Sequence, residues 1–182
     1  EDVEIEANVI FEGNVKLGDK VPIKSNTIIK NAVISSGTEV KPYTIIEDSL
    51  VGKNCNIGPF ARIRPNCTLE ESVGIGNFVE VKASNIKKNT KANHLTYLGD
   101  SDIGENVNVG AGVITCNYDG VNKHKTVIKD NVFIGSDSQL IAPIIVEEGV
   151  TIAAGSTITD NSEKDSLLIA RSRQQEKKNW KR

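Results

Sequence analysis

Residues 51–86 read VGKNCN, IGPFAR, IRPNCT, LEESVG, IGNFVE and VKASNI, which are six consecutive units of six residues. Each unit begins with Val, Ile or Leu, and the fifth position of the first five units is a small or β-branched residue. A period of six fits neither an amphipathic helix nor a half-buried strand, whose periods are about 3.6 and 2 residues. It fits a triangular coil in which each unit forms one short flat side and three units complete a turn. The stretch therefore predicts an all-β, parallel β-helix built from hexapeptide repeats.

The same phase extends well beyond this stretch. It holds from Ile5 to Ile29, slips by one residue near Ile34 and near Val51, and returns after Ile103. The last clear unit ends at Thr157. We expect the aliphatic residues to stack inward, with Gly and Asn at the corners because they tolerate positive φ. The short strands of a β-sandwich do not hold one phase over such a length. We therefore predict a β-helix domain over residues 1–160, of roughly nine or ten turns.

Composition excludes several function classes. A net charge of −2 across 182 residues argues against a nucleic-acid-binding surface. The three cysteines, Cys55, Cys67 and Cys116, have neither disulfide-framework nor zinc-finger spacing, which favours a reducing, cytoplasmic setting. No apolar run is long enough to span a membrane, and there is no signal peptide. Because the sequence begins at Glu1 and has no methionine, we expect it to be a piece of a longer chain.

Three stretches depart from the repeat, and function on a solenoid usually lies at such departures. The first runs from Ala92 to Asp102 and contains His94, one of only two histidines. The second, at about residues 115–127, is rich in Asn, Asp, Gly and Lys and predicts a protruding loop. The third is a basic tail, residues 161–182. We expect His94 to be displayed by the column rather than buried in its stack.

His94 and several cationic side chains suggest proton transfer from an amine and binding of an anionic substrate. A neutral histidine can take a proton from an amine, since its unperturbed pKa is about 6.5. Arg64 and Lys82 are eighteen residues apart, which is one full turn, so they should stack on one side and attract an anion. Further cations near this level are Arg62, Lys123 and Lys125. Glu80 and Asn117 are both candidates to orient the ring of His94, and the sequence does not choose between them.

The segments FARIRP, GNFVEVK, NHLTYLGD, NVNVGAGVITCNYDG and IAAGSTIT together resemble one family. It is the acetyltransferase domain of the bacterial bifunctional enzymes that acetylate glucosamine-1-phosphate and then uridylylate the product. The resemblance covers essentially the whole chain. It implies a left-handed β-helix, a homotrimer with sites between subunits, and a cytoplasmic role in UDP-N-acetylglucosamine, peptidoglycan and lipopolysaccharide synthesis. The uridyltransferase domain, with its Mg²⁺ chemistry, is missing from this sequence, and acetyl transfer itself needs no metal.

The resemblance also implies roles for individual residues. His94 matches the catalytic base that takes the proton from the amine. The sugar phosphate would be held by Arg64, Lys82, Tyr97, Asn108 and Lys123. Acetyl-CoA would be bound by Ala111, Asn117, Tyr118, Ser136, Ala154 and Arg171.

Other functions stay open at this stage. The chain could be another hexapeptide-repeat acyltransferase, acting on a different amino or hydroxyl acceptor. The zinc hydratase with this architecture needs three histidines, and only His94 and His124 are present. A non-catalytic or ice-binding solenoid would show a flat ladder of threonines, whereas the threonines here are scattered.

Overall fold

The structure, a computed structural model, describes residues 1–181 and consists of short parallel strands. Arg182, the last residue of the predicted tail, lies outside the described residues. The strands of the first third of the chain are β1 (Glu4–Ile5), β2 (Ile10–Glu12), β3 (Lys16–Leu17), β4 (Pro22–Ile23), β5 (Ile28–Lys30), β6 (Val33–Ile34), β7 (Glu39–Val40), β8 (Ile45–Glu47) and β9 (Leu50–Val51). Those of the middle third are β10 (Asn56–Ile57), β11 (Arg62–Ile63), β12 (Thr68–Leu69), β13 (Gly74–Asn77), β14 (Glu80–Lys82), β15 (Asn85–Ile86), β16 (Lys91–His94), β17 (Tyr97–Gly99) and β18 (Ser101–Ile103). The remaining strands are β19 (Asn108–Val109), β20 (Ile114–Cys116), β21 (Thr126–Ile128), β22 (Phe133–Ile134), β23 (Gln139–Ile141), β24 (Ile144–Val146), β25 (Thr151–Ile152), β26 (Thr157–Ile158) and β27 (Leu167–Leu168).

Successive strands belong to three different parallel sheets, so the chain winds as a triangular column. Sheet A has ten strands (β1, then every third strand to β25, then β27). Sheet B has nine, from β2 to β26, and sheet C has eight, from β3 to β24. Ten strands in sheet A correspond to about ten turns, which confirms the predicted β-helix. Among the described residues no helix is long and apolar enough to cross a bilayer.

The core is a stack of inward-facing side chains from each sheet. On sheet B the fully buried stack includes Ile46, Ile63, Val81 and Leu98, which occupy equivalent positions in successive turns. Aliphatic side chains fill most of the narrow triangular interior, which is why a hydrophobic residue recurs at about every sixth position. The six-residue phase predicted from the sequence is therefore the packing repeat of the core.

The predicted break in the repeat around His94 is wrong. Ala92, Leu98 and Ile103 are all buried and continue the stacks of the three sheets. The polar side chains of this stretch point outward from a regular turn, so His94 is exposed, as expected, on an unbroken coil.

The loop lies within about one residue of the expected bounds, and one strand of the column, β27, lies beyond residue 160. Thr115 is fully buried within the sheet B stack, and the chain leaves the coil only between Cys116 and Thr126. Within the predicted tail, β27 pairs with β25, so Leu168 still stacks on Ile152. From Ala170 to Lys181, the last described residue, the structure contains no further strand.

Bulky residues occupy several corners between sheets A and B, where Gly and Asn were expected to be favoured. Tyr43, Phe60, Phe78 and Leu95 all have positive φ, between 48° and 60°. Such a backbone costs about 1–2 kcal/mol for a residue with a side chain. The rings stack on one another, with centroids 4.9 Å apart for Tyr43–Phe60 and 5.3 Å apart for Phe60–Phe78, which offsets part of that cost. All four remain exposed and form an apolar edge of the column.

Candidate active site

The column aligns one row of outward positions on sheet A, which we call the base row: Asn77, His94, Ala111, Ser136 and Ala154. Asn77 pairs directly with His94 in adjacent turns. The other three lie two positions beyond Val109, Ile134 and Ile152, which are themselves in register with Ala92. Side chains in register on a parallel sheet stand one above another at about the strand spacing of 4.8 Å. The predicted base and three predicted cofactor residues therefore lie on one line.

Asn77 holds the ring of His94. Its Oδ1 lies 2.9 Å from His94 Nδ1. Because an amide oxygen only accepts hydrogen bonds, the contact requires a hydrogen on Nδ1 and leaves the Nε2 lone pair of the neutral ring available to take a proton. Glu80 and Asn117, the partners considered from sequence, bond elsewhere, so that expectation is wrong. The sequence did hold the signal, since Asn77 precedes His94 by seventeen residues, a turn length common in this column.

The base row above His94 carries only small side chains. The residues at the corner between sheets A and B also become smaller or polar above His94. The apolar edge ends at Leu95, and the next three turns have Gly112, Asp137 and Gly155 at this corner. The Cδ of Arg171 lies 3.8 Å from where a Cβ would stand on Gly155, which places this predicted cofactor residue at the upper end of the row. Asn108 is exposed on β19 of the same sheet. An elongated ligand can lie flat along this track from Arg171 down to His94.

A second group, on sheet B and the adjoining corner, forms what we call the cation cluster: Arg64, Lys82 and Lys123, with Glu80, Tyr97 and Asp100. Arg64 and Lys82 follow directly after the paired residues Ile63 and Val81, which confirms that they stack in neighbouring turns. Arg64 Nη1 lies 2.8 Å from Glu80 Oε1, and Lys82 Nζ lies 3.4 Å from Asp100 Oδ2. The phenol of Tyr97 lies over Gly99, where a Cβ would collide with its hydroxyl.

Lys123 brings a third cation to this cluster from the loop. The hydrogen bond with Lys82, and then the repulsion between the two ammonium charges, lower the pKa of Lys123. The hydrogen bond with Lys123 and then the Asp100 carboxylate raise the pKa of Lys82. Three cations beside two carboxylates leave an excess of positive charge, which suits a bound anion.

Two further loop residues, Asn117 and Tyr118, form hydrogen bonds close to the cluster or within the loop. Asn117 is mostly buried, and its Nδ2 donates to Asp100 Oδ2 and lies 3.4 Å from the Tyr97 hydroxyl. Tyr118 is exposed and donates to the carbonyl of Gly120, 2.6 Å away.

Two cations considered from the sequence lie outside the cation cluster. Lys125 pairs with Asp102 on sheet C, and Arg62 lies 3.9 Å from Glu47. Asp100, for which the sequence suggested no role, joins the loop to the cluster.

Two protein-family models match parts of the chain. Residues 1–69 match the model described as the GMPPB C-terminal domain. Residues 125–160 match the bacterial transferase hexapeptide model, which comprises six repeats.

Solved structures with the same fold cover most of the chain at low sequence identity. A UDP-N-acetylglucosamine acyltransferase from Francisella novicida is 19% identical, with a TM-score of 0.58 over 85% of this chain and 62% of its own. The acyltransferase of the same description from Bacteroides fragilis is 15% identical, with a TM-score of 0.62 over 89% and 69%. A polysialic acid O-acetyltransferase is 13% identical, with a TM-score of 0.50 over 93% and 94%. This chain is a left-handed hexapeptide β-helix. It spans less than two thirds of the length of the Francisella enzyme.

The two groups of candidate residues lie on different faces of this hexapeptide β-helix. His94, Asn108, Ala111, Ser136, Ala154 and Arg171 belong to sheet A and its corner with sheet B. Arg64, Lys82, Tyr97, Asn117, Tyr118 and Lys123 belong to sheet B and the loop. Two faces of a triangular column point away from each other, and the exposed Leu95 stands at the corner between them. The two groups therefore do not meet within one column.

Proposed function

We propose that this chain transfers an acetyl group from acetyl-CoA to the amine of glucosamine-1-phosphate, giving N-acetylglucosamine-1-phosphate. One observation carries the proposal. His94, with its Nε2 free, stands at the lower end of a row of small residues that leads to an arginine. A thioester laid along that row brings its acetyl carbon to the base. The amine nitrogen then attacks the acetyl carbon while Nε2 takes the amine proton, and the C–S bond breaks to release the thiolate of coenzyme A.

The small side chains of Ala111, Ser136 and Ala154 support acetyl-CoA as the donor. They let a long, flexible cofactor approach the backbone closely, and Arg171 offers a guanidinium to its phosphates. In this proposal Asn117 and Tyr118 contact the cofactor from the loop of a neighbouring copy. In this proposal the amine proton is taken by a base, and acetyl transfer needs no metal ion.

The cation cluster supports a phosphorylated acceptor. Lys82 and Lys123 are close enough for each to shift the pKa of the other, and an anion bound beside them would offset the repulsion between their charges. Arg64 is one turn below Lys82 and extends the positive surface. Tyr97 and Asn108 would bind hydroxyl groups of the sugar. The product would feed the synthesis of UDP-N-acetylglucosamine, and through it peptidoglycan and lipopolysaccharide, in the cytoplasm.

Assembly as a homotrimer would bring the two half-sites together. The base row of one copy would face the cation cluster of the next, and the apolar edge of Tyr43, Phe60, Phe78 and Leu95 would be covered by the contact. Covering this edge is favourable because the side chains are 46–61% exposed in the single column. Sedimentation analysis tests the assembly directly.

An acceptor panel tests the proposed reaction. Purified protein is mixed with acetyl-CoA and either glucosamine-1-phosphate, glucosamine, UDP-N-acetylglucosamine or serine, and the free thiol and product mass are measured. We expect thiol release and an acetylated product only with glucosamine-1-phosphate. Folded protein that leaves this acceptor unmodified would contradict the proposal.

The second candidate is another hexapeptide-repeat acyltransferase, with a different amino or hydroxyl acceptor. It is favoured by the descriptions of the Francisella and Bacteroides proteins, which are UDP-N-acetylglucosamine acyltransferases. Product formation with UDP-N-acetylglucosamine or serine in the same panel would establish this alternative.

A further inference from the structure

The loop between Cys116 and Thr126 is closed by a single carboxylate, that of Asp119. Its Oδ1 accepts hydrogen bonds from the backbone N–H groups of Val121 and Asn122, at 2.8 and 2.6 Å. Its Oδ2 lies 2.6 Å from Nε2 of His124. The backbone hydrogen bond from Asn122 and the contact with His124 lower the pKa of Asp119 to about 2. The carboxylate is therefore ionised at neutral pH and joins both arms of the loop.

Lys123 lies between the two residues of this clasp, which we define as Asp119 and His124. The backbone N–H of His124 donates to the carbonyl of Asn117 at 2.8 Å, and Tyr118 and Lys123 form an antiparallel bridge. At the base of the loop, Asn117 is bonded to Asp100, which also holds Lys82. Fixing the backbone on both sides of Lys123 fixes the origin of its side chain relative to Lys82.

We propose that Asp119 and His124 are positioning residues, which set the affinity for the phosphate of the acceptor by holding Lys123 against Lys82. The inference rests on the proposed function for the identity of the acceptor. Neither residue has to touch the substrate. Lys123 is exposed, and an exposed lysine loses substantial side-chain and loop entropy when it orders on a ligand. A clasp that orders its backbone beforehand reduces this cost and tightens binding.

Kinetics of three variants test the role of the clasp. Asp119→Ala removes all three contacts, whereas His124→Phe removes one and leaves the two backbone hydrogen bonds in place. We expect each variant to raise the KM for glucosamine-1-phosphate, by about tenfold for Asp119→Ala, with kcat within about twofold of the wild-type value. The KM for acetyl-CoA should rise less, although Asn117 and Tyr118 belong to the same loop, because Asn117 is also held by Asp100. Asp119→Asn keeps an oxygen acceptor and should recover part of the affinity. Lys125→Gln removes a cation from the same loop, but one that pairs with Asp102, and should change neither KM.

A double-mutant cycle separates positioning from general stabilisation of the fold. If Asp119 acts through Lys123, then Lys123→Gln and Asp119→Ala together should raise the KM for the sugar phosphate no more than Lys123→Gln alone. Additive effects, or equal increases in the KM for both substrates, would overturn the inference.

Binding of inorganic phosphate tests the clasp without requiring turnover. The side-chain NMR signals of Lys82 and Lys123 are followed during phosphate titration of the wild-type protein and of His124→Phe. We expect both signals to move in the wild type and the variant to need several-fold more phosphate. If the wild type binds phosphate but leaves glucosamine-1-phosphate unmodified, the proposed function fails and the inference stands. Equal phosphate affinity in the two proteins, or no binding by either, would overturn the inference.

Discussion

At the scale of single residues, the key contact is the one between Asn77 and His94. A neutral amide fixes the ring and its tautomer without placing a negative charge beside it. A carboxylate in the same place would stabilise the protonated ring, and so raise the pH at which the base becomes active. An amide partner therefore suits the proposed role of His94 as a base, which requires the neutral ring.

Replacing Asn77 should change the pH profile of the reaction in a direction set by the new side chain. Asn77→Asp should move the acidic limb of kcat to higher pH by about one unit, because the carboxylate stabilises the imidazolium. Asn77→Ala should lower kcat by about tenfold without such a shift, since the ring loses its orientation. Steady-state kcat between pH 5.5 and 9 measures both effects. Wild-type profiles in both variants would exclude Asn77 from the mechanism.

The proximity of Lys82 to Lys123 predicts how the pKa of Lys123 responds to a substitution at Lys82. Lys82→Gln removes the positive charge that lowers the pKa of Lys123, so the pKa of Lys123 should rise toward its usual range. NMR titration of the Lys123 side chain measures it, with Lys125→Gln as the matched control. An unchanged pKa in Lys82→Gln would mean that the two amines are not in contact in solution.

At the scale of structural elements, register decides the site. The strands of sheet A place Ala111, Ser136 and Ala154 in line above His94, although forty-three residues separate Ala111 from Ala154 along the chain. The loop lengthens one turn from seventeen to twenty-five residues without disturbing this line, as the pairing of Ile103 with Ile128 shows. An insertion confined to one corner is thus compatible with an intact row.

A larger side chain in the base row should block the cofactor. Ala154 is exposed, so Ala154→Leu adds volume on the surface and leaves the core unchanged. We expect the KM for acetyl-CoA to rise by about tenfold and the KM for the acceptor to stay constant. Thr151→Leu, on the same turn of sheet A but outside the row, is the control and should leave both values unchanged. Equal behaviour of the two variants would remove the row from the binding site.

The one polar member of the sheet B stack should be essential to stability. Thr115 is fully buried, and its hydroxyl accepts the N–H of Gly99 at 2.8 Å. Thr115→Val keeps the shape but leaves that N–H without a partner, which should cost about 1–3 kcal/mol in the free energy of unfolding. Thr115→Ser keeps the hydroxyl and should cost less. Urea unfolding of both variants measures the difference, and a fully stable Thr115→Val would contradict the assignment.

The fold could be predicted from the sequence because the core repeat is visible in it. The contacts among the candidate site residues could not. The phase passes through Ala92, Leu98 and Ile103, yet the outward Asn, His and Tyr side chains between them obscure it. Counting turns through that stretch would have placed Asn77 beside His94. The clasp of Asp119 and His124 depends on the path of an irregular loop, which no period encodes. The apolar edge was missed because stacked rings can offset the strain of positive φ.

At the scale of the whole molecule, the column places the base row and the cation cluster on different faces, although the proposed reaction needs both at one site. The base row lies with sheet A and the cation cluster with sheet B, so in the proposed reaction each copy would supply one half of a site from each of two faces. A cyclic assembly in which unlike faces meet would complete one site at every contact. In such an assembly the loop that carries Lys123 would lie next to His94 of a neighbouring copy.

Subunit complementation tests this central claim most directly. His94→Ala and Lys82→Ala are each expected to lack activity in the thiol-release assay with glucosamine-1-phosphate. Co-refolding the two variants in equal amounts should place intact His94 of one copy against intact Lys82 of another at roughly a quarter of the contacts, so about that fraction of wild-type activity should return. A mixture that stays as inactive as the separate variants, beside an active wild type refolded in the same way, would contradict the account.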